Sequence, residues 1–246
     1  STKRQVCYIS IPSATNIKNK KDYKIDVMDY KNIILNDHPS SELRLVESNK
    51  VILSTITIGK NGRKKTMSGQ QINRIWNITD DLVNLFGKWL GDGHIRKSRT
   101  GGKVLGIGFT VHKDNANEID YIRKICEATF ECRITYFTPK ERNVTQITIN
   151  SYIIGSIFMD LFGSYFNGKK LPNMVFSWPK NFVDNLMAGL ITTDGNITKK
   201  GNISLGLSNE KLMTQLYHLC RNNGIDVSFV KCKIGKGETC NQYSMS

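Results

Sequence analysis

The feature that most constrains this chain is an internal repeat that places an acid where a helix disfavours one. The stretch LFGKWLGDGHI, residues 85–95, and the stretch LMAGLITTDGNI, residues 186–197, each end a predicted helix with Asp-Gly. The two acids are Asp92 and Asp194. A carboxylate at a helix C-terminus costs roughly several tenths of a kcal/mol, because the last carbonyls are already negative. Two such acids in matching positions indicate a function.

The elements around the two acids follow in the same order. From residue 80 the apolar pattern predicts helix, strand, strand, helix, strand, strand and a further helix, and from residue 179 the order returns. Asp92 and Asp194 are 102 positions apart. We therefore predict an α+β fold made of two αββαββ units, residues 80–178 and 179–246. The first range includes the connection between the units.

Small residues recur four positions apart on both motif helices. They are Gly87 and Gly91 on the first helix, and Gly189 and Thr193 on the second. This spacing puts them on one helix face and allows two backbones to approach closely. Across a pseudo-two-fold axis, the two helices would pack together and bring the two acids side by side.

Neighbouring carboxylates at two helix C-termini repel each other unless a divalent cation is bound. Hard oxygen ligands, including carbonyls freed at helix ends, favour Mg²⁺ or Mn²⁺ over zinc. Water bound to such a metal attacks phosphodiesters. Asp92 and Asp194 are therefore the predicted catalytic and metal-binding residues, although either one alone is more simply the Asp-Gly end of an ordinary helix.

The charge of the chain predicts a polyanionic partner. It has 35 Lys and Arg against 21 Asp and Glu, a net charge of +14, which favours nucleic acid over a basic surface kept for solubility. Residues 1–79 hold 14 basic and 6 acidic residues and read as a β-rich basic extension. Asn61-Gly62 predicts a hairpin there. Its tip carries Lys60, Arg63, Lys64 and Lys65, which we expect either at DNA phosphates or, equally, in a solvated turn.

Cysteine usage and hydropathy bear on the compartment. The six cysteines form no C-x-x-C pair and have no histidines at zinc-ligand spacing, so we interpret them as free thiols in a reducing, intracellular compartment. The apolar runs are far shorter than the roughly 20 residues of a membrane span. No secretory signal is visible at the N-terminus. Nucleus, organelle and cytoplasm are not distinguished.

The two acid-bearing stretches resemble the paired motifs of the LAGLIDADG homing endonucleases, of the dodecapeptide type often found in inteins. MAGLITTDG, residues 187–195, is close to the motif that gives the family its name, and LFGKWLGDG, residues 85–93, resembles the first motif of intein-borne members. KKLPNMVFSWPKNFVDNLMAGL resembles the lead-in to their second motif. The resemblance covers roughly residues 80–246.

This resemblance implies a monomer of two pseudo-symmetric αββαββα halves, whose saddle-shaped antiparallel sheets lie on the major groove of double-stranded DNA. It implies a site-specific homing endonuclease that uses divalent metal to cut both strands of a long asymmetric target across the minor groove. Asp92 and Asp194 would bind the metal, with the carbonyls of Gly91 and Thr193 assisting. We expect the second half to lack the last helix.

Family members usually carry a lysine near the site in the later strands of each half. No lysine aligns in both copies here, so Lys140 and Lys236 are the nearest candidates, with a turn lysine as the plainer interpretation of each. Other polar strand residues are candidate DNA contacts, depending on register. They are Arg96, Lys97, Arg133, Thr135, Tyr136, Gln146, Thr148, Ser204, Ser228, Lys231 and Lys233.

Two other functions remain open. An RNA maturase, or a nucleic-acid-binding regulator without cleavage, would use the same scaffold; retention of both acids argues against the regulator more than against the maturase. The extension, residues 1–79, is a candidate DNA-contacting or splicing-domain-derived region. Self-splicing is disfavoured, because no Thr-x-x-His block is present and the sequence ends in YSMS rather than His-Asn.

Overall fold

The structure, a computed structural model, describes residues 23–58, 61–100, 102–232 and 242–246. The first part is rich in strands. Its elements are β1 (Lys24–Asp26), a 3₁₀ turn (Val27–Tyr30), α1 (Lys31–Asp37), β2 (Ser41–Glu47), β3 (Lys50–Ile58), β4 (Lys64–Ser68), β5 (Ile72–Asn73) and β6 (Ile75–Asn77). Strands β2, β3 and β4 form an antiparallel sheet with β5 beside β3, and β1 pairs with β6. The expected hairpin is formed by β3 and β4.

The first repeat then follows with all seven elements of the expected order. They are α2 (Asp80–Asp92), β7 (Gly93–Lys97), β8 (Val104–His112), α3 (Ala116–Phe130), β9 (Ile134–Phe137), β10 (Val144–Ile149) and α4 (Tyr152–Phe162). Side chains at the helix starts accept backbone N–H groups that the helix leaves unpaired. Thr79 caps α2, Asn115 caps α3 and Ser151 caps α4.

The second repeat has the same order as far as its fourth strand. After a short helix α5 (Tyr165–Gly168) and a 3₁₀ segment (Asn173–Ser177) come α6 (Lys180–Asp194), β11 (Gly195–Ile197), β12 (Ile203–Leu207), α7 (Glu210–Asn222), β13 (Phe229–Cys232) and β14 (Gln242–Met245). The sheets have matching strand orders, β7-β8-β10-β9 and β11-β12-β14-β13. Asn209 caps α7 as Asn115 caps α3.

Helices α2 and α6 pack with their backbones in contact. A Cβ atom on Gly87 would overlap the Leu186 carbonyl, and one on Gly189 would overlap the Asn84 carbonyl. The Asn84 side-chain amide also donates to the Asn185 carbonyl at 3.2 Å. Only glycine allows this approach at either position, so the predicted pairing of the two motif helices is present.

An aromatic core supports the α2 side of this pair. Phe86 and Trp89 of α2 meet Phe158 and Phe162 of α4 with ring centroids 4.9 to 5.7 Å apart. All four side chains are fully buried. Because buried aromatic pairs contribute both apolar burial and favourable ring contacts, the packing fixes the orientation of α2 on the first repeat.

The β-rich extension packs against the first repeat through α1. Ser156 of α4 donates to the Asp37 carboxylate at 2.9 Å, and the His38 ring lies 4.5 Å from that of Tyr152. Apolar residues of the extension and of the repeats form one continuous core. The boundary at residues 79–80 stays a prediction. None of the helices in the described ranges has the length and apolar content that a membrane crossing requires.

Candidate nuclease site

The two predicted acids lie at neighbouring helix ends. Asp92 is the last residue of α2, and Asp194 is the last residue of α6. Gly91 lies against the other helix: a Cβ atom there would overlap the Thr193 hydroxyl and lie 2.8 Å from an Asp194 carboxylate oxygen. The small residues therefore bring the two acids close enough for their charges to interact.

Ionisation of both acids is unfavourable in this place. The pKa of Asp92 is raised from 3.8 to about 6, first by burial and next by the Asp194 carboxylate, while Lys169 and Lys88 oppose the shift. Burial also raises the pKa of Asp194, and the charge of Lys169 lowers it. The Asp92 side chain still reaches solvent on one side. A cation at this end of the helices would relieve the repulsion.

Lys169 is a basic residue that contacts the C-terminal end of α2, where Asp92 lies. Its side chain is buried and donates to the carbonyls of Trp89, Leu90 and Gly91 at 3.1, 2.8 and 2.5 Å. It therefore satisfies the C-terminal carbonyls of α2 and places a positive charge beside both acids. Burial lowers the pKa of Lys169 to about 8, although Asp194 and Asp92 act to raise it.

Lys169 changes the expectation for one predicted metal ligand. The Gly91 carbonyl, expected to assist a metal, already accepts a hydrogen bond from this ammonium group. A second cation at the same oxygen would have to share it with Lys169. The Thr193 carbonyl and the two carboxylates carry no such contact with Lys169 among the hydrogen bonds of the described residues.

Lys88 is a second buried lysine near the acids. It donates to the Thr192 hydroxyl at 2.9 Å, forms an ion pair with Glu118 at 2.6 Å, and lies 5.6 Å from the centre of the Tyr121 ring. Its side chain thus joins α2, α6 and α3. Because Glu118 compensates its charge, Lys88 acts on Asp92 less than an isolated ammonium would.

One cavity lies beside each acid, and the two are in corresponding places in the repeats. The cavity of about 210 Å³ beside Asp92, the Asp92 cavity, is lined by Lys88, Glu118, Thr110, His112 and Asn115 among others. The cavity of about 290 Å³ beside Asp194, the Asp194 cavity, is lined by Lys169, Phe166, Gly206, Ser208 and Asn209 among others. Each sits between the end of a second strand and the start of the next helix.

The oxygen donors at the helix ends suit a hard divalent cation. Within the described ranges, His, Cys, Asp and Glu side chains do not form a group of three or more able to hold a metal. Two carboxylates alone leave most of the coordination sphere of Mg²⁺ to water and to oxygens of a bound phosphate, which is how Mg²⁺ is usually held. Both acids therefore fit the predicted metal without forming a closed protein site.

Sequence reasoning placed the lysine of the site elsewhere. Lys140 is exposed in the turn between β9 and β10, and the lysines whose charges act on Asp92 are Lys169 and Lys88. Lys236 lies outside the described residues. A catalytic role for Lys140 or Lys236 stays a prediction. Lys169 was missed because it lies in the inter-repeat connection, where no periodic pattern marks a residue as buried.

The first sheet presents most of the predicted DNA contacts on one face. Ile147 and Ile149 are buried beneath it, so the alternating residues Gln146 and Thr148 project outward. Thr135 pairs with Thr148. Cross-strand pairing and alternation put on this outer face Arg96, Thr135, Gln146 and Thr148, with Arg133 exposed just before β9. Tyr136 pairs with Ile147 and therefore belongs to the other face.

Two of the remaining predicted DNA contacts, Lys97 and Lys231, do not follow the regular alternation of the outward-facing residues. Lys97 follows an irregularity in β7, and its ammonium lies 5.0 Å from the centre of the Tyr165 ring. In the second sheet Ser204 and Ser228 alternate with core-facing residues, whereas Lys231 falls on the same alternation as buried Leu207. Lys231 therefore does not share a face with the two serines, because it is an odd number of residues from Ser228 in an alternating strand.

The basic hairpin of the extension is exposed. Arg63, Lys64 and Lys65 lie at or beside the turn between β3 and β4 with their side chains in solvent. Lys60 and Lys233 lie outside the described residues. His94 is half-buried over Gly108, and its pKa is lowered by burial and by the charge of Lys169. It lies at the edge of the site, as a strand residue.

Comparisons with known proteins agree with this architecture. No protein-family model matches the chain. It is 24% identical over 174 residues to a DNA polymerase of Thermococcus hydrothermalis and 20% identical over 172 residues to one of Thermococcus sp. strain GE8, with 70% of this chain covered in both cases. The chain spans about a tenth of the length of these curated relatives, since each match covers 10% of the polymerase.

Among solved structures, the chain is similar to a variant of I-DmoI in complex with its target DNA in the presence of magnesium. The TM-score is 0.50 at 10% sequence identity, covering 68% of this chain and 87% of the other. I-DmoI is a homing endonuclease. At this identity the likeness concerns the fold alone: the chain has the LAGLIDADG homing endonuclease fold, as its sequence predicts.

Proposed function

We propose that this chain is a divalent-metal-dependent, site-specific endonuclease of double-stranded DNA, acting as a homing endonuclease. The observation that carries the proposal is the pairing of α2 and α6, which brings two acids with raised pKa values and one buried ammonium group to a single point. Structural helix ends gain nothing from two neighbouring acids beside a buried lysine. Hydrolysis of a phosphodiester gives each of these groups a role.

Each acid would serve one strand of the duplex. Asp92 and Asp194 would hold Mg²⁺ or Mn²⁺, which supplies Lewis acidity and an activated water when bound. Lys169 would stabilise the negative charge that develops at a phosphate held in the Asp194 cavity, since it already projects into that cavity. The pseudo-symmetric arrangement of the two cavities suits cuts on both strands across a minor groove.

DNA would lie along the outer faces of the two sheets. In the first sheet the polar side chains of Arg96, Gln146 and Thr148 would reach base edges, while Arg133 and Lys97 would contact phosphates. The exposed basic hairpin with Arg63, Lys64 and Lys65 would extend phosphate contacts on the side of the first repeat. A monomer suffices for a long asymmetric target, because the two repeats differ in sequence.

We further propose an origin of the intein-associated type, based on the resemblance of both motifs. Under this proposal residues 1–79 form the separate extension, residues 80–178 the first repeat and residues 179–246 the second. The match to a tenth of each polymerase does not transfer polymerase activity to this chain. The reducing intracellular compartment inferred from the cysteines fits the buried, unpaired thiols of Cys126, Cys132 and Cys220.

The test is cleavage of a randomised duplex library by the purified protein in Mg²⁺, with selection for newly cut ends. We expect one long site cut on both strands, with no cutting by the matched variant Asp194→Asn or in the presence of a chelator. Binding of DNA or RNA in a salt-dependent manner without any cutting by the wild type would instead favour the maturase or regulator on the same scaffold.

A further inference from the structure

Two consecutive aromatic side chains are exposed to solvent, and the second of them lines the Asp194 cavity. Tyr165 is 68% exposed and Phe166 is 61% exposed, and Phe166 lines the cavity together with Asp194 and Lys169. The two rings are neighbours in the chain, and adjoining exposed apolar side chains with a polar rim mark surfaces that bind a partner, whereas single ones do not.

The loop that carries these rings, residues 163–170, is held firmly at both ends. A Cβ atom on Gly163, which has φ +77, would overlap the Gly168 carbonyl, and the Lys170 N–H donates to the Phe162 carbonyl at 2.9 Å. The Lys169 carbonyl accepts a hydrogen bond from the Asn209 side chain at 2.7 Å. The exposure of the rings is therefore set by a closed loop.

Backbone strain is concentrated at the same point. Tyr165 has φ +61, in the left-handed region that is unfavourable for a bulky side chain. Its ring has a cationic neighbour, the ammonium of Lys97, at 5.0 Å. Strain of this kind persists where the surrounding structure imposes it, and it accumulates at ligand-binding places. The next residue, Phe166, lines the Asp194 cavity.

From this geometry we propose that Phe166 is a wedge that inserts at a base step of duplex DNA beside the Asp194 cavity. The ligand is the apolar face of stacked bases, and a neighbouring phosphate meets Lys97, whose ammonium lies beside the same loop. Apolar side chains that enter a minor groove in this way unstack a base step and kink the duplex. The inference rests on the proposed function, since it places DNA at the same cavity, and it adds a contact that the acids do not supply.

Of the two cavities, only the Asp194 cavity is lined by an exposed phenylalanine, tyrosine or tryptophan among the described residues. In the Asp92 cavity Phe109 is buried, and the other ring is the imidazole of His112. Insertion from one side would bend the duplex asymmetrically. A kink near the Asp194 cavity would open the minor groove there and bring that strand's phosphate to the acid.

The experiment compares Phe166→Ala, Phe166→Leu and Phe176→Ala with the wild type. Phe176 is an exposed phenylalanine that lines neither cavity, so it controls for loss of an exposed ring. The probe is an end-labelled duplex with the site recovered by the cleavage selection, or the tightest-bound duplex if the wild type binds without cutting. Affinity is measured in a chelator, and bending is measured by energy transfer between the duplex ends.

We expect Phe166→Ala to bind about tenfold more weakly, as loss of one base contact implies, and to bend the duplex less. Phe166→Leu keeps an apolar wedge and should retain the bend, and Phe176→Ala should match the wild type. The melting temperatures of all three variants should match that of the wild type.

If Phe166→Ala binds and bends DNA as Phe176→Ala does, the wedge is wrong while the proposed endonuclease stands. A loss of folding or a lower melting temperature in Phe166→Ala would make this ring part of the core and also overturn the wedge. A wild type that binds no duplex removes both proposals.

Discussion

The two repeats have the same isoleucine pair in the same place, yet only one of the pairs is covered. Ile95 faces Ile107 in the first sheet, and Ile197 faces Ile203 in the second. Ile107 is fully buried under α4, whereas Ile203 is 46% exposed and Ile197 62% exposed. A cavity of about 620 Å³ lies beside this second pair. The repeats are thus alike at their shared helices and unlike at their outer layers.

This difference indicates which features the repeat conserves for packing and which for the site. At the contact between α2 and α6, the helix seam, Gly87 and Asp92 have identical counterparts in Gly189 and Asp194. The layer that packs on the sheet, the lysine beside the acid and the exposed aromatic side chain at the cavity differ between the repeats. Symmetry is therefore strict only where the two halves touch each other, because there a change in one half must fit a backbone in the other.

The largest expected loss of stability comes from substitutions at the helix seam, where Gly87 of α2 and Gly189 of α6 occupy equivalent places. Gly87→Ala and Gly189→Ala should each lower the free energy of unfolding by about 3 kcal/mol or more, because the added methyl group meets backbone that cannot move aside. Urea unfolding followed by circular dichroism measures the loss. Gly206→Ala, in open space on β12, is the matched control and should have little effect.

A loss confined to one of the two glycine variants would break the equivalence of the helices. It would mean that only one of the two glycines is needed for the close contact between α2 and α6. Equal and small losses in both variants would contradict the close backbone contact itself.

The next effect separates the outer layers of the repeats. Ile107→Ala should cost about 3 kcal/mol, because it leaves a void under α4, whereas Ile203→Ala should cost less than about 1 kcal/mol, since this side chain is already half in solvent. The same urea titrations measure both. If the two losses were equal, the face bearing Ile203 would have to be covered in solution.

The basic groups give a third contrast, in catalysis. Lys169→Met should slow cleavage of the selected site by about a hundredfold or more with little loss of affinity, because the charge of Lys169 lies beside both acids and has no direct ion pair among the described residues. Lys88→Met should have a much smaller effect, since Glu118 neutralises Lys88 at 2.6 Å. Single-turnover rates and binding in a chelator provide the two readouts. A larger loss from Lys88→Met would reverse this assignment.

Sequence patterns predict the duplicated features well, and the unduplicated ones poorly, for a physical reason. Helical periodicity and the four-residue spacing of Gly87 and Gly91 are local signals, and the structure has both helices and their contact. Lys169 reaches the site only because the inter-repeat connection folds back on α2, which no local pattern encodes. Lys88 is a charge on an otherwise apolar helix face, a signal that could have been noticed. The outward face of the strands depends on a one-residue register that sequence alone leaves open.

The smallest expected effect distinguishes the two acids themselves. Asp92→Asn and Asp194→Asn should each stabilise the metal-free protein at neutral pH, by about 1 kcal/mol for Asp92 after allowance for its solvent-exposed side. Because the pKa of Asp92 is raised from 3.8 to about 6, the folded protein holds this proton more tightly than the unfolded chain. Wild-type stability relative to Asp92→Asn should therefore fall as the pH rises from about 4 to about 6, and the difference should vanish below that range. The gain should be smaller for Asp194→Asn, since Lys169 lowers the pKa of Asp194.

Adding Mg²⁺ should reverse the sign of the stability difference between wild type and variants, because a metal held by both acids stabilises only the folded wild type. Unfolding curves at several pH values, with and without Mg²⁺, measure all of this; equal stability of wild type and variants throughout would mean that the acids neither repel each other nor bind metal.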